Sequence, residues 1–277
     1  MADTPSGALP SRALPIALLG GGKIGEALLV GLLRQTSPDD VVVVESHPDR
    51  AAELAARHGV RTPDLATAVG GAATLLVAVK PQDIDALLDA AAPHVPAGQL
   101  VVSVAAGVPT ARLEAHLPAG TAVVRAMPNT PALVEEGMTA LSAGTHAGEA
   151  HLDTAEALLR AVGRVVRVPE SQLDAVTALS GSGPAYVFFL VEAMIDAGIL
   201  LGLPRALAAE LIVQTLYGSA LMLRESDEHP VQLREAVTSP GGTTISAIRA
   251  LEDHGVRAAF LAAIEAARDR SVELGRG

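Results

Sequence analysis

From Ile16 to about position 168 the chain alternates short runs of Val, Leu and Ile with longer helical stretches. One apolar strand opens at Ile16. Others are predicted over 41–45, 74–79, 100–104 and 122–125, with later ones at 137–142 and 165–168. Helices are predicted from Lys23, over 48–58, over 82–92 and over 149–162. Strands that are apolar almost without interruption, separated by helices, indicate a parallel sheet covered on both faces. The expected fold is therefore α/β, a doubly wound sheet.

After Pro169 the strand-like runs vanish and the remainder reads as helices over 171–180, 184–201, 204–224, 231–238, 243–253 and 256–273. Prolines near several of these starts suit the first helical turn. The pattern divides the chain into a loose tail (1–14), a dinucleotide-binding domain (15–168) and a helical domain (169–277). The stretch 186–203 is apolar on most faces, which marks a buried helix. Either the same chain or a second subunit can supply that burial.

Composition narrows the possible functions. Half the chain is hydrophobic (49%) and 18% is charged over 277 residues, enough for a substantial core. The net charge of −11 argues against a nucleic-acid partner. Aromatic residues, at 2%, leave little for stacking on bases. There are no cysteines, which excludes disulfides, thiolate metal sites and cysteine nucleophiles. The histidines are scattered, with no H-E-x-x-H, so no metal is expected. Glu192 and Asp196 interrupt the best membrane candidate, 186–203, and the reading is a soluble, cytoplasmic protein with no membrane partner.

Ligands of open α/β sheets bind beyond the carboxyl ends of the strands. The first such end carries Gly20, Gly22 and Gly25 in G-x-G-x-x-G spacing, followed by a helix. The first glycine permits a tight turn, the second lets a pyrophosphate approach, and the third lets helix and strand pack closely. The amides that open the helix at Lys23 and Ile24 face the phosphates. Glu45 lies twenty residues past Gly25, where a carboxylate bonds ribose hydroxyls and repels a 2′-phosphate; Ser46, His47 and Arg50 could offset that repulsion. A solvated glutamate is the plainer alternative. Lys80-Pro81, Ala105-Ala106-Gly107 and Asn129, between two prolines, end the next three strands. Lys80 fits a cofactor contact or simple solvation equally well, and Asn129 fits a nicotinamide contact or turn chemistry.

A second glycine cluster, Ser239-Pro240-Gly241-Gly242-Thr243-Thr244, opens a helix in the C-terminal half. Consecutive amides at a helix start form an anion site, while helix capping by Thr243 is the plainer account. Ser180-Gly181-Ser182-Gly183-Pro184 lacks the G-x-S-x-G of a nucleophile elbow.

Five stretches together resemble the pyrroline-5-carboxylate reductases. They are the Gly20–Gly25 fingerprint, Val77 to Gln82, Met127 to Ala132, Ala178 to Tyr186 and, most diagnostic, Ser239 to Ile245. The resemblance spans 16–274. It implies a Rossmann domain followed by an all-helical dimerisation domain, a homodimer that can build rings of dimers, and an imino-acid substrate reduced to proline by NAD(P)H. It further implies that Lys80, Pro81, Ala105, Ala106 and Asn129 line the nicotinamide side, with Val79 and Gly107 also binding the cofactor. The backbone amides around Gly241, Gly242 and Thr243 would hold the substrate carboxylate, Ser239 would also bind substrate, and Thr244, from the neighbouring subunit, would hydrogen-bond the ring nitrogen as the catalytic contact.

One departure bears on the cofactor. Many relatives carry an Asn-Arg or similar pair after the second strand to hold a 2′-phosphate, and here the chain reads Glu45-Ser46. Either cofactor fits, with a lean towards NADH. Two rival readings remain: a β-hydroxyacid-dehydrogenase-like reductase and a non-catalytic nucleotide sensor. The first needs a lysine on a C-terminal helix, and no lysine follows Lys80. The second leaves the cluster 239–244 without a purpose.

Overall fold

A computed structural model describes residues 9–275 of the chain. Five strands, β1 (Ile16–Leu19), β2 (Val41–Val44), β3 (Thr74–Val77), β4 (Leu100–Ser103) and β5 (Ala122–Met127), lie parallel in one sheet. The sheet runs β2-β1-β3-β4-β5-β6-β7, with β6 (Gly137–Ala143) and β7 (Gly163–Arg167) completing seven strands. The pattern implied a parallel sheet throughout, but β6 runs antiparallel to β5. Only a short loop with one turn of 3-10 helix at Thr130–Val134 joins them, too little chain for the crossover a parallel pair needs.

Alternate residues of each strand bury into opposite faces. Ile16 and Leu18 join one core cluster, while Ala17 and Leu19 join the other. This two-sided burial explains the unbroken apolar runs. The covering helices are α1 (Lys23–Leu33), α2 (Pro48–His58), α3 (Leu65–Gly71), α4 (Ile84–Ala91), α5 (Thr110–Ala115) and α6 (Glu149–Leu159). The short helices α3 and α5 were not anticipated. Asp64 caps α3 by accepting from the Thr67 amide at 2.8 Å.

The expected tail needs correcting over its described part. Leu9 and Ala13 are buried in the core, and Arg12 donates to Thr154 at 2.8 Å. Small apolar residues between prolines looked featureless in sequence, yet they cover the open side of the first core cluster. Residues 1–8 of that expected tail lie outside the described residues.

The chain forms two compact units. One runs to Ser182 and takes in the chain from Ala267 onward; the other is Gly183–Ala266. Strands stop at Arg167, close to the expected division at 168/169, but the first unit continues further. Helix α7 (Leu173–Val176) and the π-turn Thr177–Gly181 pack on the sheet, with Leu173 buried beside Met127 and Ala140.

The second unit contains α8 (Gly183–Leu200), α9 (Arg205–Glu225), α10 (Pro230–Ala236), α11 (Thr243–Asp253) and most of α12 (Val256–Gly275). No residue of α8 is buried within the chain. Phe188 is 67% exposed and Phe189 75%. An intrachain core therefore does not account for this apolar helix. Contrary to expectation, Glu170–Leu200 and Arg205–Glu225 are long and apolar enough, by length and composition, to cross a membrane, since two carboxylates do not bring the mean hydropathy of a window below 1.5.

Candidate functional site

The chain passes from β1 to β2 on one side and crosses to β3 on the other, so the carboxyl ends of β1 and β3 flank the point where strand order reverses. The glycine turn sits there, and its three glycines do three different things. Gly20 has φ +107°, and a Cβ there would lie 2.8 Å from the Ala78 carbonyl oxygen and 3.0 Å from Val79 Cγ1. A Cβ on Gly25 would collide with the Gly20 carbonyl. Gly22 is exposed, and a Cβ on it would meet nothing within 4 Å. Its lack of a side chain therefore serves no internal packing. Gly22 is the N-cap of α1, and among the described residues no side chain caps this helix. Its first amides, with Lys23 exposed and Ile24 half-buried, are open to an anion. A dinucleotide pyrophosphate fits this cradle.

Glu45 follows β2 and turns back onto the cradle. Its Oε2 accepts from the Gly21 amide at 2.8 Å. Its Oε1 accepts from the His47 amide at 3.0 Å and from the Ser46 hydroxyl at 3.2 Å. Burial pushes the carboxyl upward, but the His47 and Gly21 amides outweigh it and hold the pKa at about 2. Glu45 is thus an anion at neutral pH, 11% exposed at the side chain, beside the open Gly22.

Further along the same edge, the Ala78 amide donates to the Leu19 carbonyl at 2.7 Å and the Val104 amide to the Val77 carbonyl at 2.9 Å. These bonds set Val79, Lys80 and Pro81 beside the glycine turn and carry the edge on to Ala105, Ala106 and Gly107. Lys80, Pro81 and Ala106 are exposed. Asn129 lies two residues past β5, but its side chain is engaged elsewhere. Oδ1 accepts from the Met138 amide at 2.8 Å, and Nδ2 donates to the Ser180 carbonyl at 3.1 Å. It ties β5, β6 and the π-turn together, so its amide shapes this loop.

In the second unit, Gly241 adopts φ +68° and Gly242 is the N-cap of α11. The Gly242 amide donates to the Ser239 carbonyl at 3.1 Å. Thr243 does not cap the helix, because among the described residues no side chain does. Ser239 and Thr243 are exposed, and Thr244 is half-buried. This is a second uncapped helix start opened by glycines.

The sequence reading treated Arg50 only as a possible offset to Glu45. Arg50 Nε donates to the Gly21 carbonyl at 3.0 Å, Nη1 to Glu53 at 2.7 Å and Nη2 to Glu26 at 2.5 Å. Arg57 pairs with both carboxylates, and His58 contacts Glu26 at 2.9 Å. The spacing of Arg50, Glu53 and Arg57 along one helix face was legible in sequence. The reach of Glu26, from the first turn of α1, was not.

A switch-point glycine turn, an open pyrophosphate cradle and a carboxylate at the end of β2 define a dinucleotide-binding protein of the Rossmann class. Residues 15–107 match the NADP oxidoreductase, coenzyme F420-dependent family, and residues 170–274 match the pyrroline-5-carboxylate reductase dimerisation family. A pyrroline-5-carboxylate reductase of Mycobacterium leprae is 48% identical over 94% of this chain and 96% of its own. The solved pyrroline-5-carboxylate reductase of Coxiella burnetii is 38% identical, with a TM-score of 0.89 over 95% of this chain and 98% of its own. That of Plasmodium falciparum, solved with NADP bound, is 26% identical with a TM-score of 0.86, covering 96% and 100%. The chain belongs to the pyrroline-5-carboxylate reductase family.

Proposed function

We propose that this protein reduces Δ1-pyrroline-5-carboxylate to L-proline, the last step of proline biosynthesis. Bound NAD(P)H supplies a hydride to the imine carbon, and the ring nitrogen takes up a proton. The carrying observation is the open cradle at Gly22 beside the ionised Glu45, in a chain that matches this family across 94% of its length.

The amides of α1 hold the pyrophosphate, and Glu45, with Ser46 beside it, receives the adenosine ribose hydroxyls. Val79, Lys80, Pro81, Ala105, Ala106 and Gly107 form the nicotinamide side, and Asn129 fixes the loop that closes it. At the other helix start, Ser239 and the amides of Gly241, Gly242 and Thr243 receive the substrate carboxylate. Thr244 hydrogen-bonds the ring nitrogen from the neighbouring subunit, and a neutral donor suffices because a protonated imine is already electrophilic. The apolar surface of α8 and α9 is covered by a second copy of the chain in the cytoplasm, and such dimers assemble into rings.

The test is a steady-state assay of pyrroline-5-carboxylate reduction with each cofactor. Formation of proline with at least one is the expected result, and failure with both overturns the proposal.

A further inference from the structure

An arginine beside the end of β2 is the usual means of accepting a 2′-phosphate. Here the nearest such residue, Arg50, is already committed. Each of its three nitrogens donates: to the Gly21 carbonyl at 3.0 Å, to Glu53 at 2.7 Å and to Glu26 at 2.5 Å. Its side chain is only 26% exposed and Glu26 only 21%, so this is not a solvated surface pair. Glu26 is engaged again by Arg57 at 2.8 Å, and Arg57 also holds Glu53. The network is closed around Arg50 from two helices, α1 and α2.

We propose that Glu26 and Glu53 sequester Arg50 against the glycine turn, so that the site selects NADH over NADPH. The inference rests on the dinucleotide reading above and sharpens it. Three carboxylates, Glu26, Glu45 and Glu53, stand against two guanidiniums, Arg50 and Arg57, leaving the locality anionic. A 2′-phosphate brings roughly two further negative charges at neutral pH. It could recruit Arg50 only by breaking an ion pair, which would leave a carboxylate beside the phosphate. Of the two histidines in this locality, His58 is engaged by Glu26 at 2.9 Å and the ring of His47, 85% exposed, contacts Glu45 at 3.0 Å. Glu45 repels the phosphate directly, whereas Glu26 and Glu53 act through Arg50 and are positioning residues.

The experiment is equilibrium titration of the full-length protein with NADH and with NADPH at pH 8, read by nicotinamide fluorescence without substrate. The wild-type protein is expected to bind NADH at least about tenfold tighter. The Glu26→Gln/Glu53→Gln variant should narrow that ratio by about fivefold or more, mainly through stronger NADPH binding, and adding Arg50→Gln should remove the gain. Equal affinities in the wild type, an unchanged ratio in the double variant, or a gain that survives loss of Arg50 would each overturn the proposal. If the double variant does not fold, Glu53→Gln alone, at a 43% exposed carboxylate, must still move the ratio the same way, and no movement overturns it. Failure of both dinucleotides to bind the wild type would instead overturn the cofactor reading itself.

Discussion

The Gly21 amide donates to Glu45 Oε2 at 2.8 Å, while the Gly21 carbonyl accepts from Arg50 Nε at 3.0 Å. One residue of the glycine turn is thereby held at both its amide and its carbonyl by side chains that follow β2. The acid proposed to read the ribose and the turn proposed to hold the pyrophosphate are therefore mechanically joined, and a change at Glu45 acts on both.

Replacing Glu45 by Ser removes the repulsion of a 2′-phosphate and one anchor of the turn together. Glu45→Ser is expected to raise kcat/KM for NADPH relative to NADH by about tenfold, equivalent to about 1.4 kcal/mol. Parallel steady-state assays with the two cofactors give this ratio. An unchanged ratio would remove Glu45 from cofactor selection.

The two outer glycines of the turn separate folding from binding. A Cβ at Gly25 collides with the Gly20 carbonyl, so Gly25→Ala forces a backbone shift and should cost about 1–3 kcal/mol of stability. A Cβ at Gly22 meets open space, and φ −67° suits any residue there, so Gly22→Ala should stay within about 0.5 kcal/mol of wild type. It should nevertheless weaken dinucleotide binding by about tenfold or more, because it fills the cradle. Urea denaturation and cofactor titration of the same two variants distinguish these outcomes. A Gly22→Ala protein that binds normally would dissociate the open space from the ligand.

Acid should loosen the α1–α2 corner early. Glu26 is held at about 2 by hydrogen bonds from His58 and Arg50, and Glu45 also lies at about 2, both well below 4.5. The native carboxylates bind fewer protons than the unfolded ones between those values. Their contribution is therefore complete above pH 4.5 and is lost as pH falls towards 2. Thermal melts from pH 5.5 to 2.5 should show Tm falling over this window, with a shallower fall in Glu26→Gln. Identical slopes would exclude Glu26 as a contributor.

Much of the fold was legible because two-sided burial leaves an unmistakable trace: four consecutive valines, 41–44, have few places to go except a covered strand. The packing of the glycine turn was legible for a similar reason, since the spacing encodes the tight turn at Gly20 and the close contact at Gly25. The direction of β6 was not, because its apolar content suits either orientation and the short preceding loop decides. Nor was Asn129, whose two amide partners, Met138 and Ser180, lie nine and fifty-one residues away. The closure of Arg50 by Glu26 is of the same kind: it depends on two helices meeting, which no local pattern records. The second glycine cluster is a middle case, where glycines and hydroxyls suggest an anion site and only resemblance names the anion.

At the second glycine cluster, Thr244 lies in the first turn of a helix that no side chain caps among the described residues. Thr244→Ala removes the hydroxyl proposed to meet the ring nitrogen and should lower kcat/KM by about 1–3 kcal/mol. Thr244→Ser keeps the donor and should restore most of the loss. Activity unchanged in the alanine variant would take Thr244 out of the reaction.

Helices α8 and α9 pose the largest unmet demand for burial. Phe189 is 75% exposed, Leu200 89% and Tyr217 59%, in a region matched by a dimerisation family. Each such side chain stabilises its state by about 1.5–3 kcal/mol when covered, so the eleven large apolar side chains exposed on α8 and α9 drive association strongly. Within α8 and α9, Gly198 lets the helices close: its Cβ would lie 2.8 Å from that of Ala208, so the pair already forms a packed hairpin whose outer faces await a partner. The wild-type protein should therefore sediment as a dimer or larger at micromolar concentration without detergent. Phe189→Glu places a charge on the face to be covered, where an unpaired carboxylate costs several kcal/mol, and should shift the distribution to monomer. Helix content should change little, because Phe189 makes no buried contact within its own chain. A wild-type monomer, or a protein that needs detergent to stay in solution, would show that something other than a second copy covers these helices.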